Sequence, residues 1–297
     1  KIASAAKTPA TPEPVPAARF WWPAVHHGNV GNSHGETMRL KYSNMPRWMK
    51  HNLLVKKLYL LKKMHFTKSK ASHYSQFAED ISIGQCFRNS SQGFFVDVGC
   101  FHPKKYNNTW LLYKQGWRGI NIDIDSIKID GFNLARPQDT NICCAVSNME
   151  GEISYFSSGH YSLTTSVDKN FSEARGSYVE KKTRCAKLTT LLDGTKYKDR
   201  QIDFLSVDAE GHDLEVLMSL DFQRYDPRLI AVETHAVAFT EVCEAAVYQY
   251  LLGKGYCLVG WCGLTLLMAN KAMQEARAIA RRREPPYSDQ RPESEHL

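Results

Sequence analysis

Phe94-Phe95-Val96-Asp97-Val98-Gly99 is an apolar run that ends in Asp-x-Gly, and a helix-like segment opens soon after it around Tyr106-Asn107-Asn108-Thr109. Few folds use that order of features. A short, unbroken apolar run marks a strand buried on both faces, as in a parallel sheet. Gly99 then allows a sharp turn with close backbone approach, and the next helix start offers unpaired N–H groups to a ligand. Several ligand-binding classes and plain α/β scaffolds share this unit, so the rest of the chain must discriminate.

Comparable units follow. The pattern predicts strands at 94–99, 119–123, 141–147, 202–208 and 229–233, with an edge strand at 153–156. Helices are expected at 108–114, 127–135, 213–220 and 241–253, and 157–184 reads as a polar excursion. Two closing strands, 256–260 and 264–269, are linked only by Trp261-Cys262-Gly263. That link is too short for a helical crossover, so they should be antiparallel. The expectation is an α/β fold: a Rossmann-like, doubly wound sheet ending in a C-terminal antiparallel hairpin.

Four regions are expected. Residues 1–45, rich in Ala, Pro, Gly and His, cannot bury a core and read as an extended arm. Within it Phe20-Trp21-Trp22 is an apolar cluster suited to docking on this domain or on a protein partner. Residues 46–73 read as a basic amphipathic helix, since Lys41 to Lys70 contains no acidic residue and carries Trp48, Leu53, Leu54, Leu58, Leu61 and Met64. Such a helix suits an anionic lipid or nucleic-acid surface, or docks on its own domain with a solvated basic face; the second reading is preferred. Residues 74–270 form the compact domain, and 271–297 a basic helix and disordered tail.

The composition is ordinary for a globular protein: 297 residues, 43% hydrophobic, 23% charged, formal charge +7. No apolar run approaches the roughly 20 residues of a membrane span, which leaves only peripheral membrane contact. The eight cysteines show neither C-x-x-C nor zinc-ligand spacing, so a reducing compartment is expected and no metal is assigned. The Ala-rich, acid-poor beginning without Met suits a processed organellar (mitochondrial) protein and equally a trimmed one.

In an open α/β sheet, ligands sit beyond the carboxyl ends of the strands near the point where strand order reverses. Asp97, Asp123, Asp208 and Glu233 should meet there. Asp123 lies about 20 residues past the glycine turn, where a carboxylate accepts the hydroxyls of a bound ribose; Asp125 is its rival. The fourth strand runs into Asp208-Ala209-Glu210-Gly211-His212-Asp213, two carboxylates and an imidazole around a tight turn.

At this point the chain resembles the FkbM family of S-adenosylmethionine-dependent methyltransferases. The matching pieces are Ser75-Gln76-Phe77-Ala78-Glu79-Asp80, Phe95-Val96-Asp97-Val98-Gly99 with His102-Pro103, and Asn108-Thr109. They continue with Gly116-Trp117-Arg118-Gly119-Ile120-Asn121-Ile122-Asp123, Arg136-Pro137-Gln138-Asp139 and Ala145-Val146-Ser147 with Glu150-Gly151. Asp203-Phe204-Leu205-Ser206-Val207-Asp208-Ala209-Glu210-Gly211 and Gly255-Tyr256 complete the set. The order is kept across about 74–270. His102-Pro103 departs from the Asn-x-Gly of many members and resembles one subgroup.

The resemblance implies a class I methyltransferase-like fold with S-adenosylmethionine as cofactor. Asp97 and Gly99 would shape the pocket for its methionine part and Asn108 would cap or contact it. Gln76 and Asp80 of the leading segment would close the cofactor side, Asp123 would hold the ribose, and Ala145 and Val146 would lie by the adenine. Asp208, Glu210 and His212 would face the methyl group and the acceptor. For transfer to a hydroxyl on a sugar or other small molecule, Asp208 is the candidate base or orienting group and His212 or His235 its imidazole partner. Glu210 is alternatively a turn-holder, and a divalent metal on Asp208 with Glu210 or Asp213 is the lesser option. Two other functions compete: a non-catalytic subunit of a larger, organellar assembly, reached through the arm, and an RNA methyltransferase. Nucleic acid is disfavoured, because no stacking-plus-basic module is evident.

Overall fold

The computed structural model describes residues 73–276, except 89, 160–161, 163–164 and 175–177, together with a few isolated positions between 46 and 58. The chain divides into two units, 1–69 and 70–297. In the first, Leu54, Val55, Lys57 and Leu58 are helical. The proposed arm, most of the basic helix and the tail beyond 276 lie outside the described residues.

In the second unit the elements alternate as expected. They run α1 (Glu79–Cys86), β1 (Phe94–Val98), α2 (Trp110–Lys114), β2 (Arg118–Asp123), α3 (Ser126–Ala135), β3 (Thr140–Cys143), β4 (Ala145–Val146) and β5 (Gly151–Ser157). Then come α4 (Lys169–Glu173), β6 (Val179–Ala186), α5 (Leu188–Asp193), β7 (Phe204–Val207), α6 (Asp213–Met218) and α7 (Phe222–Tyr225). The last are β8 (Leu229–Glu233), α8 (Phe239–Glu244), α9 (Ala246–Gly253), β9 (Cys257–Cys262) and β10 (Thr265–Ala269).

Seven strands form one sheet in the order β3-β2-β1-β7-β8-β10-β9. Neighbours from β3 to β8 are parallel, and β10 runs antiparallel to both β8 and β9, the reversed strand of the expected hairpin. This is the strand order and single reversal of the class I methyltransferase-like architecture. The chain builds outward from β1 through β2 to β3, then returns to the other side of β1 with β7. The switch point therefore lies between β1 and β7.

Period-2 alternation explains the layers. Phe94, Val96 and Val98 of β1 share one face with Leu205 and Val207 of β7, Ile230 and Val232 of β8, and Leu266 and Met268 of β10. They pack on Leu188, Leu191 and Leu192 of α5, Val216 and Leu217 of α6, and Leu251 of α9. Phe95, Phe204, Leu229, Ala231, Leu267 and Ala269 point the other way, onto Ile83 of α1, Leu112 of α2 and Met273. With apolar side chains on both faces, the sheet must be covered twice.

The span 141–147, expected as one strand, divides. Cys144 donates its N–H to the carbonyl of Asp123, and the chain then leaves the large sheet. Ala145 and Val146 pair instead with Cys185 and Ala186 of β6, in a small sheet ordered β4-β6-β5. The expected edge strand at 153–156 belongs to that sheet as β5, and the polar excursion contains the strand β6. A bridge between Phe156 and Ser166 folds 165–167 back toward the switch point.

Candidate active site

The turn after β1 is built by two constraints. Gly99 has φ +81°, and its N–H, like that of Cys100, bonds the carbonyl of Ile122 in β2. Beyond β7, the N–H of Asp208 bonds the carbonyl of Val98. The two turns thus close the floor of a hollow of about 640 Å³ that opens to solvent at the carboxyl ends of β1, β2 and β7.

Of the residues expected at a site, Gly99, Asp123, Ala145, Val146, Asp208, Glu210 and His212 line this hollow. Others do not. Asp97 lies just beneath it, buried, with Oδ2 accepting from Asn107 Nδ2 at 3.2 Å and Thr109 Oγ1 at 3.1 Å. Burial raises its pKa to about 6, although Arg136 and these hydrogen bonds pull the other way. Asn108 turns its amide onto Ser206 Oγ at 3.3 Å. Gln76 is exposed on the segment leading into α1, and His235 is exposed beyond β8; neither lines the hollow. Asp97 and Asn108 thus support the turn through hydrogen bonds, and Gln76 and His235 are exposed outside the residues that line the hollow.

Asp125 accepts from the N–H of Ile127 as the N-cap of α3, a role that fixes it at the helix start. Asp123 is the carboxylate that reaches the hollow. Its Oδ1 accepts from the Asp125 N–H at 2.7 Å and its Oδ2 from Lys128 Nζ at 3.1 Å, with both side chains buried. Desolvation raises the Asp123 pKa and Lys128 opposes it. A carboxylate has about four lone-pair positions, so two remain for ribose hydroxyls.

Asp208 is exposed where it opens onto the hollow, yet the protein around its carboxyl still desolvates it. Burial, then the charge of Glu233 on the adjoining strand, then Asp213, push its pKa well above the ordinary value. Asp213 itself holds the turn: its carboxylate accepts from the N–H groups of Ala209 (2.8 Å) and Gly211 (3.3 Å). It is thereby engaged with backbone, which disfavours it as a metal ligand with Asp208. Glu210 takes φ +51°, and its carbonyl accepts from Ser166 Oγ at 2.7 Å, tying the small sheet's return segment over the turn. Among the described residues no group of three or more His, Cys, Asp or Glu side chains is arranged to hold a metal ion.

His212 Nε2 lies 2.9 Å from Ser147 Oγ, and Nδ1 lies 3.6 Å from Glu215 Oε2. Burial lowers its pKa more than Glu215 raises it, so the imidazole is neutral near pH 7. Burial pushes the Cys144 thiol, also on the wall, up to about 11, so it is no thiolate nucleophile.

Two functional residues escaped the sequence reading. Lys128 follows Asp123 by little more than one helical turn, but a lysine in α3 reads as a solvated cation; its contact with Asp123 depends on how α3 returns across β2. Arg136 stands in the Arg136-Pro137-Gln138-Asp139 piece, where the local pattern gives no sign of its contacts. It is fully buried, pairs with Asp139 at 2.8 Å, and bonds Thr109 Oγ1 at 3.0 Å and Asn107 Oδ1 at 3.3 Å. The rings of Phe95, Tyr113 and Phe132 surround its guanidinium at 4.8–5.3 Å. Arg136 thus braces the pair that holds Asp97.

The residues fit a sulfonium nucleoside. Asp123 offers acceptor oxygens, Ala145 and Val146 an apolar wall, and Asp208 and Glu210 two more carboxyl groups, with Lys128 among the lining residues. A family model described as the methyltransferase FkbM domain matches residues 83–258. Among solved structures, the chain is similar to a TehB-like SAM-dependent methyltransferase from Corynebacterium glutamicum. The TM-score is 0.34 at 14% identity, over 73% of this chain and 97% of that one. No curated protein matches the chain.

Proposed function

The chain belongs to the FkbM methyltransferase family, and from that premise we propose that it transfers the methyl group to a hydroxyl of a sugar or other small polyol. S-adenosylmethionine is the methyl donor. One observation carries the reading of the acceptor: a carboxyl group of raised pKa, Asp208, and an imidazole of lowered pKa, His212, line the same hollow.

The cofactor, when bound, supplies an electrophilic methyl on a positively charged sulfur, so the chain is left with positioning and proton removal. Asp123 would hold the ribose, with Lys128 fixing the carboxylate's orientation. The Gly99 turn sets how deep the donor sits. A neutral hydroxyl is a poor nucleophile, and Asp208 would take its proton as the oxygen–methyl bond forms. A carboxylate whose pKa is raised toward the operating pH is a stronger base once ionised. A nearby sulfonium charge favours that ionised form. His212, fixed by Ser147 and Glu215, would orient the acceptor oxygen.

The test is incubation of the purified protein with radiolabelled S-adenosylmethionine and a panel of polyols, amines and thiols. Label on hydroxylated acceptors, abolished in Asp208→Asn with S-adenosylhomocysteine binding kept, is the expected result. Label only on amines or thiols would overturn the O-methylation reading.

A further inference from the structure

Between Val98 and Ile122 the chain carries Lys104, Lys105, Lys114 and Arg118 and no acidic residue. The fold arranges three of these cations on rings in a strip that starts at the hollow. Phe101 lines the hollow, and its ring lies 6.1 Å from that of Tyr106. Lys105 Nζ sits 4.6 Å from the Tyr106 ring and Lys104 Nζ 5.4 Å from the Trp110 ring. The Trp110 ring meets Tyr74 edge-on at 6.4 Å, and Lys114 Nζ lies 4.2 Å from the Tyr74 ring. His102 Nδ1 accepts from the N–H groups of Lys104 and Lys105 at 3.0 and 3.1 Å, which fixes the backbone beneath both. Among the described residues, no carboxylate lies within ion-pair distance of these three lysines.

The arrangement discriminates between polyanions. An ammonium lies over each of these rings, so a nucleobase finds that face already covered, whereas the three lysines remain exposed, Lys114 also donating to the Tyr74 hydroxyl at 2.8 Å. Held cations without carboxylate partners suit spaced anionic groups on a hydrophilic chain. We propose that the strip of Lys104, Lys105 and Lys114 binds the carboxylates of an acidic saccharide, leading one of its hydroxyls to Asp208. This assignment rests on the O-methyltransferase reading and narrows its acceptor to a uronate-bearing glycan.

The test is fluorescence anisotropy with labelled oligogalacturonate, its fully methyl-esterified form and a short single-stranded RNA, over a salt series. The wild-type protein should bind the uronate about tenfold or more tightly than the ester. The combined Lys104→Ser, Lys105→Ser, Lys114→Ser variant should lose about tenfold, as three exposed ion pairs imply, with an unaltered melting temperature. Equal affinity for ester and uronate, or an unaffected variant, would overturn the proposal; so would tighter binding of RNA, which would assign the strip to nucleic acid. Titration with S-adenosylhomocysteine separates the two levels: protein that binds uronate but no nucleoside keeps the strip as an acid-glycan site and removes the methyltransferase reading of its purpose.

Discussion

A Cβ placed on Gly99 would stand 1.7 Å from the carbonyl oxygen of Asp208. The turn that ends β1 and the turn that ends β7 therefore pass each other with room for a hydrogen and nothing larger. One contact couples the turn at the floor of the hollow to the position of the proposed base, although the two residues are far apart in the chain.

Gly99→Ala should accordingly be costly. The new side chain meets backbone, which cannot swing away, and φ +81° is unfavourable for alanine. A loss of about 3 kcal/mol or more is expected in urea unfolding, with S-adenosylhomocysteine affinity reduced in whatever fraction folds. Wild-type stability and affinity in this variant would show that the two turns can separate freely.

Lys128→Met should leave Asp123 as an uncompensated buried carboxylate. Breaking such a pair costs about 3–5 kcal/mol, and adding Asp123→Asn should restore part of it. Without the lysine the Asp123 pKa, already raised by desolvation, climbs further. The single variant should then lose S-adenosylhomocysteine affinity as pH falls toward the acid range, more steeply than wild type. Calorimetric titration at several pH values checks this.

Asp208 must be ionised to accept a proton, so the rate should rise with pH through an apparent pKa above the ordinary carboxylate range. Asp208→Asn should lower kcat by roughly 10²–10⁴. Glu233 raises the Asp208 pKa, so Glu233→Gln should shift the acid limb of the pH–rate profile to lower pH. A limb that stays in place in that variant would assign the titration to another group.

Asp97 gives a stability signature of its own. Its pKa in the folded chain is about 6, against an ordinary 3.8. Between those values the folded state holds the proton more tightly than the unfolded chain. Its stabilising contribution is present at low pH and is lost as pH rises through about 6. The stability of wild type relative to Asp97→Asn should therefore fall by about 2 kcal/mol from pH 4 to pH 7. Chemical denaturation of both proteins across that range provides the measurement.

The order of strands and helices in the large sheet was legible because it depends on local pattern: unbroken apolar runs, turn glycines, and a closing link too short for a crossover. β6 was missed for the opposite reason. Val179 to Ala186 alternates exposed charged residues with partly covered ones, a pattern that reads as loop until Cys185 and Ala186 are seen pairing with Ala145 and Val146. The site divides in the same way. Gly99, Asp123 and Asp208 stand at strand ends, where position along the strand implies position in space. Asp97 also ends a strand, but its side chain turns to the face opposite the hollow, toward Asn107 and Thr109.

The sequence alone determined the α/β class, the carboxyl edge at which ligands gather, and the acidic residues available there, since hydrophobic periodicity and turn chemistry act over a few residues. Only the tertiary structure decided which groups meet. It placed Lys128 on Asp123, Glu233 beside Asp208, Ser147 on His212 and Arg136 behind Asp97. Each is a contact between different elements, whose energy comes from desolvation and charge at short range, and neither quantity exists until the sheet and its helices have closed together.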